Sequence, residues 1–218
     1  GTYSFGAEIA DKELAKNYAL TVTEGTFTIE KLGVEVTLKD YTKVYKGSAY
    51  TVDVADAITD ISCEGGAALL NRSDFAAVYN NELIKAGNFT YGVEISNRER
   101  ANNFDLTIAN AGGSGSFEIA KRKIVLKLDE VRVSQDEYDN KGSTGDYDVS
   151  KFISVSTDTP LAEGDTFIVT EAWATGDGFG KVELYLMDVY VLDNADCYEF
   201  VNYNGSNMAI TAALVVIG

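Results

Sequence analysis

Self-similarity constrains this chain more than any other feature. GTYSFGAEI at positions 1–9 returns as GNFTYGVEI at 87–95, NYALTV at 17–22 as NFDLTI at 103–108, and GTFTIEK at 25–31 as GSFEIAK at 115–121. A more diverged copy aligns Tyr198-Glu199-Phe200 with Phe104-Asp105-Leu106, and Met208-Ala209-Ile210 with Phe117-Glu118-Ile119. Upstream of these tails, VEVTL at 34–38 corresponds to IVLKL at 124–128, and LNRSD at 70–74 to LAEGD at 161–165. A fixed period of about 90 residues means one structural unit per copy. The parsing is then 1–31 as the C-terminal hairpin of a partial repeat, 32–121 as a repeat, 122–212 as a diverged repeat, and 213–218 as the start of a further strand. The chain reads as a window on a longer array.

Within each copy the apolar residues alternate, which is the period of a strand with one face buried. Phe89, Tyr91, Val93 and Ile95 share a face, as do Phe104, Leu106 and Ile108, and Val34, Val36 and Leu38. Only Arg72 to Lys85 offers a helical spacing, through Phe75, Val78, Tyr79 and Leu83, and it is expected as one short helix or a loop. Turn chemistry separates the runs at Gly65-Gly66, Gly112-Gly113, Gly176-Asp177-Gly178 and Asn204-Gly205. Six or seven short strands per repeat predict an all-β chain of tandem immunoglobulin-like antiparallel β-sandwich repeats, with β-grasp-like repeats as the alternative. The tail Phe117-Glu118-Ile119 passes through Lys121 into Ile124-Val125-Leu126 without a flexible linker, so neighbouring repeats should form a semi-rigid line.

Charge and composition narrow the function. With 34 acids against 18 bases the net charge is −16, which disfavours nucleic acid and anionic lipid as partners. No apolar run is long enough for a membrane-spanning helix, so no direct membrane insertion is expected. Histidine is absent, which removes the usual general base and the usual zinc ligand. Cys63 and Cys197 fall at non-equivalent places in different repeats and are expected as free thiols.

No catalytic residue is nominated, and no cofactor other than a structural calcium. The acids concentrate in 122–218, 17 against 7 bases, and Asp136, Asp139, Asp146 and Asp148 are the candidate calcium ligands although no EF-hand spacing is met. Glu171 with Asp177 or Glu183 is the nearest approach to a glycosidase pair, of the sort that chance supplies in so acidic a chain. The glycine runs at 111–115 and 176–180 lack the Lys-Ser/Thr of a phosphate loop. Trp173 is the only tryptophan and reads as a core or hairpin aromatic, with a ligand platform as its other role.

Several of these motifs resemble a known family. KVYKGSAY at 43–50 is similar to the "KVYDGT" opening of YDG-type repeats, with Lys46 where that family has Asp. AGNFTY at 86–91, NFDLTI at 103–108 and GSFEIAK at 115–121 resemble the closing motifs of MBG and YDG-type repeats. The resemblance implies an extracellular setting in bacteria, at the cell surface or attached to the cell wall, and a non-catalytic role as stalk, spacer or adhesin. Its partners would be neighbouring repeats and a host or surface glycan or protein. A carbohydrate-binding module and a strand-complemented filament subunit are the competing functions. The filament idea rests on the apolar face Tyr3, Phe5, Ala7 and Ile9, which must find a partner, and on Leu214–Ile217 as the strand of a neighbouring molecule that would supply it.

Overall fold

A computed structural model describes residues 1–66, 69–203 and 210–218. The expected hairpin turn at Asn204-Gly205 and the aligned residues Met208 and Ala209 lie outside them. The chain begins with β1 (Thr2–Phe5), α1 (Lys12–Ala15) and β2 (Gly25–Thr28). Then come β3 (Leu32–Leu38), β4 (Tyr41–Val44), α2 (Val54–Ala57), β5 (Ile58–Cys63) and β6 (Phe75–Tyr79). β7 (Gly87–Ile95), α3 (Arg98–Ala101), β8 (Phe104–Ile108) and β9 (Gly115–Ala120) follow. After Lys121 the chain enters β10 (Arg122–Ile124), β11 (Leu126–Leu128), β12 (Val131–Ser134), α4 (Gln135–Lys141), β13 (Asp146–Asp148) and β14 (Ile153–Val155). It ends with β15 (Phe167–Gly176), β16 (Lys181–Leu192), β17 (Tyr198–Phe200) and β18 (Thr211–Ile217). With 48 % strand and 15 % helix in several sheets, the chain is all-β.

The contacts divide it into two compact units. One comprises Gly1–Lys39, Val52–Val78 and Gly92–Gly115. It holds the two-stranded β1-β2 hairpin and a sheet of order β5-β3-β8. It also holds β6 beside the second half of β7. Alternation decides the faces of β3: Val34, Val36 and Leu38 are buried while Glu35 is exposed. Asn110 closes the β3–β8 ladder, its side chain accepting from the Leu38 amide at 2.7 Å and donating to the Leu38 carbonyl at 2.8 Å. Arg72 to Lys85 departs from the expected helix or loop. Asn71 and Asp74 form a reciprocal cap around a single 3₁₀ turn, Arg72–Asp74, and the chain then extends into β6 with Phe75 buried.

The other unit comprises Asp40–Thr51, Tyr79–Tyr91 and Ser116–Gly218. It holds β4-β9 with the first half of β7, the pairs β10-β17 and β11-β14, and a five-stranded sheet of order β12-β18-β16-β15-β13. Its core takes Leu126 and Leu128 from β11, Val131 and Val133 from β12, Tyr147 from β13, Ala172 and Ala174 from β15, and Val182, Leu184 and Met187 from β16. Asn202 repeats the device of Asn110, accepting from the Leu126 amide at 2.9 Å and donating to its carbonyl at 2.8 Å.

The sheets are not wholly antiparallel as expected. Among the described residues, β3 with β8, β4 with β9, β10 with β17 and β12 with β18 run parallel. Parallel pairing needs a long crossover, and here residues 39–103 lie between β3 and β8. Residues 213–218, expected to open a further strand, belong mostly to β18. Its Thr211–Ala213 part pairs antiparallel with β16, and Leu214–Ile217 pairs parallel with β12.

Candidate functional site

Among the described residues, a developed polar arrangement lies in the second unit, around Asp165. Tyr45 follows β4, and its amide extends the parallel β4–β9 ladder by donating to the Ala120 carbonyl at 2.9 Å. Tyr198 opens β17. Asp165 sits in the turn before β15, and Asn194, with a left-handed φ of 50°, in the turn after β16. One carboxylate oxygen of Asp165 accepts from the Tyr45 hydroxyl at 2.9 Å and from the Tyr198 hydroxyl at 2.7 Å, and the other accepts from the Asn194 amide at 2.8 Å. The Tyr198 hydroxyl in turn accepts from the Ala162 amide at 2.8 Å. The two tyrosine rings meet edge to face at 5.4 Å, a preferred aromatic geometry.

Three further contacts brace this centre. Arg122 donates from Nε to the Pro160 carbonyl at 2.6 Å and from Nη1 to the Tyr45 carbonyl at 3.3 Å. Buried Cys197 accepts on Sγ from the Ala86 amide at 3.3 Å. Gly47 has φ +82°, and a Cβ there would stand 2.7 Å from the Glu163 carbonyl oxygen, so only glycine fits.

The electrostatics follow from burial beside an anion. Desolvation, reinforced by Asp165, pushes the Tyr45 hydroxyl well above its ordinary value, and the same causes push Tyr198 up to about 12. Burial also raises the Cys197 thiol, against the lowering effect of the Ala86 amide. At neutral pH these groups keep their protons, and the hydroxyls act as donors to one shared carboxylate. Among the described residues no buried side-chain nitrogen or oxygen lacks a partner. The chemistry of the arrangement is to hold loops and strands together.

The residues singled out in the sequence lie on other elements. Asp136 and Asp139 are on α4, where Asp139 accepts from Gln135 Nε2 at 2.7 Å. Asp146 and Asp148 flank buried Tyr147 on β13, and Asp148 accepts from the Ser150 amide at 3.0 Å. Among the described residues no three Asp, Glu or Cys gather closely enough to hold a metal ion. Asp177 accepts from the amides of Phe179 at 2.7 Å and Lys181 at 3.0 Å, which lowers its pKa and commits it to a turn.

Trp173 is half-buried on β15, opposite Asp148 of β13 and Leu186 of β16, and on the face turned away from Ala172 and Ala174. Its Nε1 donates to Glu171 at 3.4 Å, and Lys141 lies 5.9 Å from its ring. Tyr185 is 44 % and Tyr190 36 % exposed, so the aromatics of this hairpin are not all turned inward. Burial and then Asp146 raise the Tyr185 hydroxyl pKa.

Sequence reasoning missed Asp165, whose two tyrosine partners are 120 and 33 positions away. One signal was available: the sequence match sets Tyr198 opposite Phe104, and a core position that carries a hydroxyl must also have a partner for it. Scans of protein-family models and searches of curated proteins and of solved structures find no match to this chain.

Proposed function

We propose that this chain is a non-catalytic extracellular stretch of tandem immunoglobulin-like β-sandwich repeats from a bacterial surface protein, working as a stalk or spacer. In this reading the cluster around Asp165 is the joint that stiffens one repeat against the next. The observation that carries it is recurrence of the pairing plan. Antiparallel β3-β5 and parallel β3-β8 correspond to antiparallel β11-β14 and parallel β10-β17. Parallel β4-β9 corresponds to parallel β12-β18, and the neighbours β9-β7-β6 to β18-β16-β15. The Asn110 and Asn202 clamps recur at the ends of equivalent ladders. On this plan β18 closes the second repeat, which extends to Ile217.

Two features favour a sandwich over a β-grasp-like repeat. The core of 122–217 draws on both β11 and the five-stranded sheet, and the longest helix among the described residues, α4, has seven residues and cannot form a covering layer. The joint supports stiffness because a single residue, Lys121, separates β9 from β10, while Tyr45 and Arg122 are tied to Asp165 and Pro160. The parallel ladders suit tension. A pull that draws paired parallel strands apart along their axis loads all their hydrogen bonds together. The surface setting rests on the resemblance of the motifs at 43–50, 86–91 and 103–121, and the charge of −16 suits exposure and solubility.

Backbone ¹⁵N relaxation on the intact chain tests the joint. Amides of β4 and β9 should report the same tumbling time as those of β15 and β16; two separate times would defeat the stiff-spacer reading. A second reading, carbohydrate binding, is favoured by the outward face of β13, β15 and β16, where Trp173, Tyr185, Asp146 and Asp148 supply a ring surface with acceptors at its rim. Quenching of Trp173 fluorescence on a glycan panel would support it, and its absence across neutral and acidic glycans would leave the spacer alone.

A further inference from the structure

The N-terminal 31 residues carry nearly the same local structure as 87–121. β1 lies 86 positions before Asn88–Tyr91 of β7, and β2 lies 90 before the first four residues of β9. α1, capped by Asp11, lies 86 before α3, capped by Asn97. One element differs. Tyr18 to Val22, the counterpart of β8, is not a strand.

The burial of matched side chains also differs. Phe104, Phe117, Ile119 and Tyr91 are 8, 2, 1 and 1 % exposed, whereas their counterparts Tyr18, Phe27, Ile29 and Phe5 are 64, 49, 57 and 58 % exposed. The same pattern of residues is thus a core in one copy and an open apolar face in the other. An isolated two-stranded hairpin is at best marginally stable in water, and clustered exposed aromatics mark an interaction surface.

What covers the matched residues in 87–121 is known strand by strand. β3 pairs in parallel with β8, β4 pairs in parallel with β9, and β6 flanks β7. Tyr41 and Tyr50 stack on Phe117 at 5.3 and 5.7 Å. All of these lie between residues 32 and 86. Tyr18 to Val22 lacks strand structure for a physical reason: a parallel ladder forms only with a partner, and among the described residues β1 and β2 pair only with each other.

We infer that the face of residues 1–31 docks the leading two thirds of a repeat of this kind, a polypeptide with the residue pattern of 32–86. That partner adds one strand parallel to Tyr18–Val22, a second parallel to β2 and a third beside β1, and it buries Phe5, Tyr18, Phe27 and Ile29 as 32–86 buries their counterparts. The inference rests on the repeat reading above. β18, the strand that the sequence offered for this role, is already hydrogen-bonded to β12 and β16. Segment 32–86 of a second copy is likewise committed to its own 87–121.

The test is a full-length chain carrying a second copy of residues 32–86 fused directly before Gly1, so that Ala86 precedes Gly1 as it precedes Gly87. Hydrogen exchange should slow about 100-fold at Tyr18–Val22, Phe27 and Ile29, approaching the rates at Phe104–Ile108 and Phe117–Ile119. In the fused chain Phe27→Asp should abolish that gain, while in the unfused chain it should leave the melting temperature unchanged. Unchanged exchange in the fused chain would overturn the docking inference. So would a concentration-dependent dimer of the unfused chain that protects the same amides, because the occupant would then be a second copy. If β8 is protected but β17 is not, the repeat reading itself has failed, and that outcome is separable from failure of docking.

Discussion

Replacing Asp165 by Ala removes the shared acceptor of the Tyr45 and Tyr198 hydroxyls and leaves both donors in a buried site. Hydrogen bonds to a charged group contribute about 1.5–3 kcal/mol each, and losses within one network do not add fully, so the expected destabilisation is about 3–5 kcal/mol. For a chain of this size that lowers the melting temperature by roughly 10 °C. Asp165→Asn keeps the shape but not the charge. Its amide NH₂ must face either the tyrosine hydroxyls or the Asn194 NH₂, so about half the Ala effect should remain. Urea titration followed by the fluorescence of Trp173, the single tryptophan, reads the change, with far-UV circular dichroism as the second probe. Cycles with Tyr198→Phe and Tyr45→Phe should return coupling energies of about 1–2 kcal/mol. A stability of Asp165→Ala within about 0.5 kcal/mol of the parent would refute the reasoning, because that is the range of an unremarkable surface change.

Three other outcomes follow from the same residues. Tyr198 binds its proton more tightly folded than unfolded, so its contribution to stability is whole below pH 10 and is lost as pH rises through about 12, by about 2–3 kcal/mol; Tyr198→Phe should lessen the slope of that limb of a pH-stability curve, the remainder coming from Tyr45. Gly47→Ala, with its left-handed φ and the Glu163 carbonyl in the way, should cost about 2–4 kcal/mol by urea titration, and parity with the parent would contradict the close approach. A thiol reagent should modify half-buried Cys63 quickly in the native chain, and Cys197 only at the rate of unfolding.

The strands were legible because alternation is a local property. Val34, Val36 and Leu38, or Phe117 and Ile119, announce one buried face without reference to anything distant. The sense of pairing was not legible, since β3 meets β8 only after a long crossover and no local residue records that the two run parallel. Nor does a local pattern say which apolar residue of a strand meets which of its partner. Phe117 stands across from Tyr41 and Leu214 across from Val131. Alternating apolar strings fit one another at several registers. Of the candidate site, Tyr45 and Tyr198 were visible as aromatics of matched sequence segments, but the carboxylate that joins them lies in a loop with no motif of its own.

Stretching the intact chain between its two ends in a single-molecule force experiment tests the central claim most directly. If 32–121 and 122–217 are repeats that carry tension through parallel ladders, the record should show two abrupt extensions of about 30 nm each, the length of some 90 freed residues. Asp165→Ala should lower the force of the first event and leave both lengths unchanged. A single extension spanning nearly the whole chain, or gradual lengthening without discrete steps, would contradict the account.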